Sequence, residues 1–569
     1  MLLSQRGVTF GAMTQTAARL LVDCLVEQGC DRIFTVPGES FLPVLDALAD
    51  CTAIHTVTCR QEGGAAFMAC ADGAMNAAGS GRPGVAFVTR GPGATNASIG
   101  VHVAHQDSQP MILFIGDVDR TMRDREGFQE VDFPAFFGPI CKWAARIDDA
   151  RRIPEYVARA YSTAISGRPG PVVLTLPEDM LHERGIEALM RPWVDRPAQA
   201  PCPDALATMI QMIGDAATPM AIIGGAGWNS RARHYFGEFA ERIGLPVATA
   251  FRRQDALSSA SPVYAGNLGY GPSPKLLERV RAADLLLVVG ARLGEATTDG
   301  YALITPDHPG QKLVHVYPDP EELGRVYRAD LAMCADPQEF SESAALWADS
   351  STIPFDAGDE AHAEWLAWST PRSDELYSLD LARCLAHARE LLPADAIICN
   401  GAGNFAGWWH RYWPYAGYPS QLAPTAGAMG YGLPAAVAAA LRFPDRCVVA
   451  AAGDGDFLMN AQELATAAQY GANLLVILFD NSTYGTIRQH QEREYPGRPS
   501  ATALANPDFV MMTQSYGGWA KRAETTAQFA SALAEAMQHS GIRLLHCITD
   551  IEQLSAAGAT VSNLRSRST

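Results

Sequence analysis

The residues best suited to chemistry lie toward the C-terminal end of the chain. Gly453-Asp454-Gly455-Asp456 follows the apolar run Cys447–Ala452, and Asp480-Asn481 follows a second apolar run, Leu474–Phe479. Asp454 and Asn481 are therefore expected on neighbouring loops at the carboxyl ends of parallel strands, where open α/β sheets bind ligands. Magnesium takes one or two protein oxygens and completes its octahedron with phosphate oxygens and water. Asp454, Asn481 and the backbone carbonyl of Thr483 can supply that protein share. Gly453 and Gly455 let the backbone close on a diphosphate, with amides and a helix N-terminus facing its charge. A Gly-Asp-Gly tripeptide alone is a common turn; the second loop makes it a metal and diphosphate expectation.

Holding two such loops side by side requires βα units. Short apolar runs bounded by Gly or Pro alternate with helix-patterned stretches, which predicts an α/β chain of doubly wound domains with parallel sheets. A chain of 569 residues exceeds one core. Two Pro-rich or polar stretches, Arg191–Pro203 and roughly 348–374, read as linkers. They divide the chain into an N-terminal unit, 1–187, a central unit, 204–345, and a C-terminal unit, 375–552. Residues 553–569 read as a tail, small and polar toward its end and mobile, with a lid over a site as the alternative.

The outer two units echo each other. A Gly/Ala-rich helix from Gly63 leads to a strand from Val85, the turn Gly91-Pro92-Gly93, a helix, and the strand Met111–Ile115. In the third unit a helix from Gly432 leads to the Cys447 strand, the Gly453 turn and the Leu474 strand. The order suggests one duplicated fold in which the C-terminal copy alone carries acids in its turn.

The formal charge of -18 and the absence of a basic stripe exclude a nucleic-acid partner. No apolar run approaches the roughly 20 residues a membrane helix needs. The first residues, Met1 to Met13, lack a signal-peptide core, and the twelve scattered cysteines form no C-x-x-C pair. These features set the expectation of a cytoplasmic protein with reduced thiols.

With these residues placed, the chain resembles thiamine diphosphate enzymes, whose fingerprint is G-D-G followed at a distance by Asn. Within them it looks most similar to the acetolactate synthase branch. The likeness rests on Arg60-Gln61-Glu62-Gly63-Gly64-Ala65-Ala66, Gly91-Pro92-Gly93-Ala94-Thr95-Asn96, Gly127-Phe128-Gln129-Glu130, Gly427-Ala428-Met429-Gly430-Tyr431-Gly432 and Met459-Asn460-Ala461-Gln462-Glu463-Leu464. It implies pyrimidine-binding, central and diphosphate-binding domains, with thiamine diphosphate and Mg2+ as cofactors. It also implies a homodimer at minimum, with a tetramer in keeping, because the cofactor spans two chains. The activity implied is a carboligase that decarboxylates a 2-keto acid and transfers the acyl unit to a second carbonyl compound. The alternatives are a 2-keto acid decarboxylase or carbon–carbon lyase, and a non-catalytic nucleotide-binding protein of the same fold.

By the same resemblance Glu62 is the glutamate that manages the aminopyrimidine proton, and Met429 is the apolar wedge that bends the cofactor. Gly427 and Met429 contact the aminopyrimidine, while Asn404, Phe405, Asp456 and Tyr484 join the Gly453 loop around the diphosphate. Gln129 and Lys142 fall where the family lines its substrate channel. Departures bear on the substrate. Arg488 and His490 stand in Gly485-Thr486-Ile487-Arg488-Gln489-His490, where the family has a tryptophan and small apolar residues. Glu39 replaces a glycine, Asp117 replaces a glutamine, and His102 lies upstream of Asp117. Related synthases bind a non-redox flavin on the central domain, but Arg292-Leu293-Gly294-Glu295 stands where they carry Arg-Phe-Asp-Asp-Arg. That reading leaves FAD open and leans toward a nucleotide fold without its ligand.

Overall fold

The computed structural model describes residues 15–77, 79–307, 309–348 and 355–566. Met1 to Met13 lie outside the described residues. Three six-stranded sheets follow one another along the chain, and every strand pairing in them is parallel. With strands numbered along the chain within each sheet, the first and third share the order 2-1-3-4-6-5. The central sheet runs 3-2-1-4-5-6, the dinucleotide-fold order. The fold class expected from the sequence is the one observed, and the duplicated strands begin or end within one residue of their expected places.

Helices on both faces remove each central strand from water, so the strands are apolar throughout instead of alternating. Leu285–Val289 (LLLVV) and Leu474–Asp480 (LLVILFD) are buried at every position. The helix Glu62–Asn76 is built from small residues because its neighbours come very close. A Cβ on Gly73 would sit 2.0 Å from the Pro110 carbonyl oxygen. That helix packs against both Pro92–Asp107 and Gly432–Arg442, so the first and third units share one continuous hydrophobic core.

Two linker or tail expectations are corrected. The stretch read as a linker to residue 374 contains the helix Ala357–Ser369, packed on the strand Tyr264–Asn267. Its only large buried anchor is Trp365, edge-on to Tyr264 at 4.9 Å. Its large apolar residues, Trp365, Leu366 and Trp368, are crowded at one end, which leaves no periodicity along the helix to read. The supposed mobile tail also has structure. Val561–Ser566 is a helix whose Val561 and Leu564 pack with Leu554, and it lies against the helix Gly485–Glu494. Only residues 567–569 of the tail lie outside the described residues. Among the described residues no helix is long and apolar enough to cross a membrane.

Candidate active site

In the third sheet Gly453 is in register with Phe479 on the adjacent strand, so the next residues, Asp454 and Asp480, leave the sheet side by side. A cavity of about 250 Å³ opens there. Asn404, Phe405, Gly427, Met429, Gly453, Asp454, Gly455, Asp456, Asn481, Thr483 and Tyr484 all line it. Thr549, Gln553 and Leu554 complete one wall. The glycines have local reasons. A Cβ on Gly453 would stand 2.8 Å from the Phe405 ring, and one on Gly455 would stand 2.5 Å from the Tyr484 ring. Gly427, at φ +68°, faces open space, so its backbone is presented bare to the cavity.

The acids in this cavity take hydrogen bonds from amides. Asp456 accepts from the backbone N–H groups of Ala402 and Gly430, both at 3.0 Å, and so clamps two loops of the cavity wall. Burial pushes its carboxyl up to about 7. Asp454 is 3% exposed, and burial raises its carboxyl, with neighbouring Asp480 adding to the rise and an Asn506 hydrogen bond opposing it. Among the described residues no arginine, lysine or histidine pairs with it. Burial would also raise Asp480, but hydrogen bonds from His546 and the Ser482 backbone hold it below the usual carboxylate range. Among the described residues there is no cluster of three or more His, Cys, Asp or Glu side chains suited to a metal. One carboxylate, an amide oxygen and a backbone carbonyl suit magnesium better than zinc.

Glu62 opens the helix Glu62–Asn76 at the carboxyl edge of the first sheet and is absent from this cavity. Every residue lining the cavity falls between Leu381 and Leu554. Asn96 Nδ2 donates to Glu62 Oε2 at 3.0 Å, and a Cβ on Gly93 would lie 3.3 Å from Oε1. Glycine there keeps the second carboxylate oxygen accessible. The helix start is fixed from the third unit. Buried Glu463 accepts from the backbone N–H groups of Arg60 and Gln61 at 3.1 and 3.0 Å. Burial raises the Glu463 carboxyl.

The residues expected near substrate separate into two groups. Glu39, Asp117 and Gln129 do stand at the carboxyl edge of the first sheet. Glu39, 69% exposed, reaches Arg90 at 3.1 Å, whose other nitrogen holds Glu178 at 2.8 Å. Asp117 is buried against Arg146 at 2.8 Å, and Gln129 packs on the Gly91 turn. The others are elsewhere. The backbone of Lys142 pairs with Pro171, the first residue of its strand, so Lys142 lies at the opposite, amino edge of the sheet. Its Nζ is fastened to the carbonyls of Thr163 and Ser166, and burial brings it down to about 8. His102 is exposed roughly three turns into its helix. Arg488 points to Glu492 at 2.7 Å, and exposed His490 meets Arg493. Neither lines the cavity, although Ile487 does.

Glu492 is fully buried and also accepts two hydrogen bonds from Arg565, both 2.8 Å, which fasten the Val561–Ser566 helix. Those two pairs hold its carboxyl down at about 2. Sequence reasoning placed Asp480 on the second loop without giving it a role, and did not single out Asn96, Glu463, Asn506 or His546. Asn96 and Glu463 lay inside quoted motifs, whereas Asn506 and His546 carry no local signal.

In the central unit the Gly224-Gly225-Ala226-Gly227 turn is explained by packing. Cβ atoms on Gly224, Gly225 and Gly227 would lie 2.8 Å from Arg253, 2.2 Å from the Gly290 oxygen and 2.9 Å from Pro337. Arg292 is held by Glu322 at 3.1 Å, and Glu322 also binds Arg168 at 2.8 Å.

Comparison with known proteins matches three family descriptions to the three sheets. "Thiamine pyrophosphate enzyme, N-terminal TPP binding domain" covers residues 15–136, the central domain of the same family covers 206–343, and its C-terminal TPP binding domain covers 401–547. Curated relatives match almost end to end. The acetolactate synthase large subunit of Corynebacterium glutamicum is 30% identical over 94% of this chain and 87% of its own length. A probable acetolactate synthase large subunit of Methanocaldococcus jannaschii is 31% identical over 94% and 92%. The large subunit of acetolactate synthase isozyme 1 of Escherichia coli is 30% identical over 97% of each.

Proposed function

The chain belongs to the thiamine pyrophosphate enzyme family, in its acetolactate synthase-like branch, and from that premise we propose how its own residues divide the work of a carboligase. The donor is a 2-keto acid and the acceptor a second carbonyl compound. Thiamine diphosphate, when bound, supplies the electron sink beside the carbonyl carbon. The chain supplies grip, orientation and proton management.

The observation that carries this reading is the pairing of two incomplete crevices. In the third unit, buried Asp454 has no cationic partner among the described residues, and Asn481 and Thr483 join it in lining a glycine-bearing cavity. The buried Oδ1 of Asn506, on an amide that contacts Asp454, lacks a donor. A Mg2+ ion with its water answers both needs, with Asp454, Asn481 and the Thr483 carbonyl as ligands. Gly427, with its bare backbone, and Met429, both in the cavity lining, would hold the aminopyrimidine part of the cofactor. Asp456 acts by holding the Ala402 and Gly430 loops around the cofactor.

In the first unit, Asn96 fixes one oxygen of Glu62 and leaves the other to hold a proton against N1′ of the aminopyrimidine. Because Glu62 does not reach the cavity of its own chain, a second copy must bring it, which supports a homodimer at minimum. The relatives' name, large subunit, fits a chain that works in an assembly. Mass measurement in solution separates dimer from tetramer. Glu39, Asp117 and Gln129 line the approach to Glu62, with Arg90 and Arg146 already balancing the acids. The proposal assigns no flavin to the central unit, because its glycines serve packing and Arg292 serves Glu322. A flavin band in the visible spectrum of the purified protein would overturn that. All twelve cysteines are free, which supports a reducing, cytoplasmic setting.

The test is a turnover panel. Purified protein with thiamine diphosphate and Mg2+ is given 2-keto acids with and without an added aldehyde, and both carbon dioxide and acyloin are measured. Carbon dioxide with acyloin supports the carboligase; carbon dioxide with aldehyde alone makes it a decarboxylase. No turnover with any acid would sink the reading.

A further inference from the structure

We propose that Asn506 is a positioning residue of the metal centre, whose single amide group holds Asp454 in its ligating posture by tying it to Asp480. The inference rests on the metal reading above and adds a residue that neither motif nor spacing points to. Asn506 Nδ2 donates to Asp454 Oδ2 at 2.8 Å and to Asp480 Oδ1 at 2.9 Å. An amide nitrogen has two hydrogens, so both are used, and the two acceptors fix which way the amide faces.

The two acids it bridges are not equivalent. Asp480 is tied on every side. Its Oδ1 also accepts from the Ser482 backbone at 2.8 Å and the Ser482 hydroxyl at 3.2 Å, and its Oδ2 faces His546 Nε2 at 2.9 Å. Asp480 is therefore the anchor. Asp454 Oδ1 has no side-chain donor among the described residues, which leaves it for an ion. The remaining atom of the bridge, Asn506 Oδ1, is buried without a partner. Buried acceptors are seldom left so, and a water on the bound ion is the donor this position lacks.

Asn506 is itself held in register with the metal loop. Leu504 N–H donates to the Ser482 carbonyl at 2.8 Å, and Tyr484 N–H donates to the Thr502 carbonyl at 2.9 Å. The Thr483 hydroxyl bonds the same Thr502 carbonyl at 2.8 Å, and Thr483 and Ala503 form an antiparallel bridge. The segment thus fixes Thr483, the backbone ligand, and delivers the amide to the two acids. Remove the amide, and two carboxylates that leave adjacent strands face each other with no donor between them. Their repulsion turns Asp454 out of posture.

Manganese provides the test, because free Mn2+ is read directly by electron paramagnetic resonance. The full-length protein with thiamine diphosphate is titrated with Mn2+, and Asn506→Leu, which keeps the branched shape and loses both hydrogens, is compared with the parent. Loss of an orienting partner weakens metal binding roughly 10- to 100-fold, so half-saturation should rise by that factor. Excess metal should bring the turnover and the thermal midpoint of the variant back toward the parent's, whereas the metal-free variant should melt lower, because its two carboxylates face each other without a donor. If the leucine variant does not fold, Asn506→Ala is read in its place. Unchanged half-saturation overturns the proposal. So does a defect that excess metal cannot restore, since that marks general packing. If the parent itself takes up Mn2+ no better with cofactor than without, the metal reading falls first and takes this one with it.

Discussion

The first and third sheets repeat one strand order, yet the acids along their carboxyl edges are treated in opposite ways. In the first, Glu39 and Glu178 share Arg90, and Asp117 holds Arg146, so each of these three acids has a guanidinium beside it. Glu62 is left to an amide partner, Asn96. In the third, buried Asp454 and Asp456 take their hydrogen bonds from amides; Arg252 bears electrostatically on Asp456, and among the described residues no cationic side chain pairs with Asp454. A buried carboxylate without a counter-charge is costly, and a dissolved cation can cancel that cost in a way a fixed arginine would prevent. One copy has become a wall with a single proton-handling group. The other has become a socket that asks for a metal.

The most severe way to break this division is Glu62→Gln. It should slow exchange of the thiazolium C2 proton by ~10²–10⁴-fold, the range of general acid–base effects, with cofactor affinity nearly unchanged. Proton exchange followed by NMR on the loaded protein decides it; exchange at the parent rate would remove Glu62 from the proton role. Asp454→Ala should do the converse. It removes a ligand, so metal-dependent cofactor binding should weaken by more than the roughly 100-fold expected of an outer partner. Calorimetric titration is the measurement, and a normal metal requirement would refute the socket.

Gly64→Ala tests the strut between the two copies. The new Cβ would lie 2.6 Å from Glu463 Oε1, a carboxylate held in place by two backbone amides. Overpacking of this kind costs about 1–3 kcal/mol in chemical denaturation. A variant as stable as the parent would show that Glu463 can move aside. The smallest effect concerns the helix Val561–Ser566. The Glu492 carboxyl is lowered from its ordinary 4.5 to about 2. Its contribution to stability is therefore complete above 4.5 and is lost as pH falls toward 2. Amide protection, taken relative to the intrinsic exchange rate at each pH, should fall in that helix in this window before it falls in Leu474–Asp480, and Arg565→Ala should show the same loss at neutral pH. Simultaneous exchange of both segments would mean that the helix has no separate hold.

The sequence made the third crevice legible because its signals are local. A continuous apolar run, a glycine turn and an acid at a strand end can be read within a dozen residues, and the Gly453 and Asp480 loops lie where that pattern puts them. Glu463 and Asn506 were hidden because their partners are distant. Glu463 bonds Arg60 across 403 positions, and Asn506 reaches acids 52 and 26 positions away from a loop with no periodicity. Lys142 was misplaced for another reason. Its neighbours in the sequence are those of a channel residue, but which edge of the sheet it occupies depends on strand direction. Arg488 looked foreign and therefore interesting, whereas its charge is taken up by Glu492 and a helix that composition alone had made a loose end.

The core common to the outer units sets a condition on how the protein is made. The helix Glu62–Asn76 leaves the ribosome early, but Arg442, which closes over Asp72, follows 370 positions later, and the Leu441 carbonyl that receives Arg32 follows 409 positions later. Until then a face of alanine, methionine and phenylalanine has no cover. Contacts so distant form slowly and leave early segments open to self-association. The N-terminal unit expressed by itself should accordingly be a sticky fragment that gains solubility when the C-terminal unit is supplied alongside it.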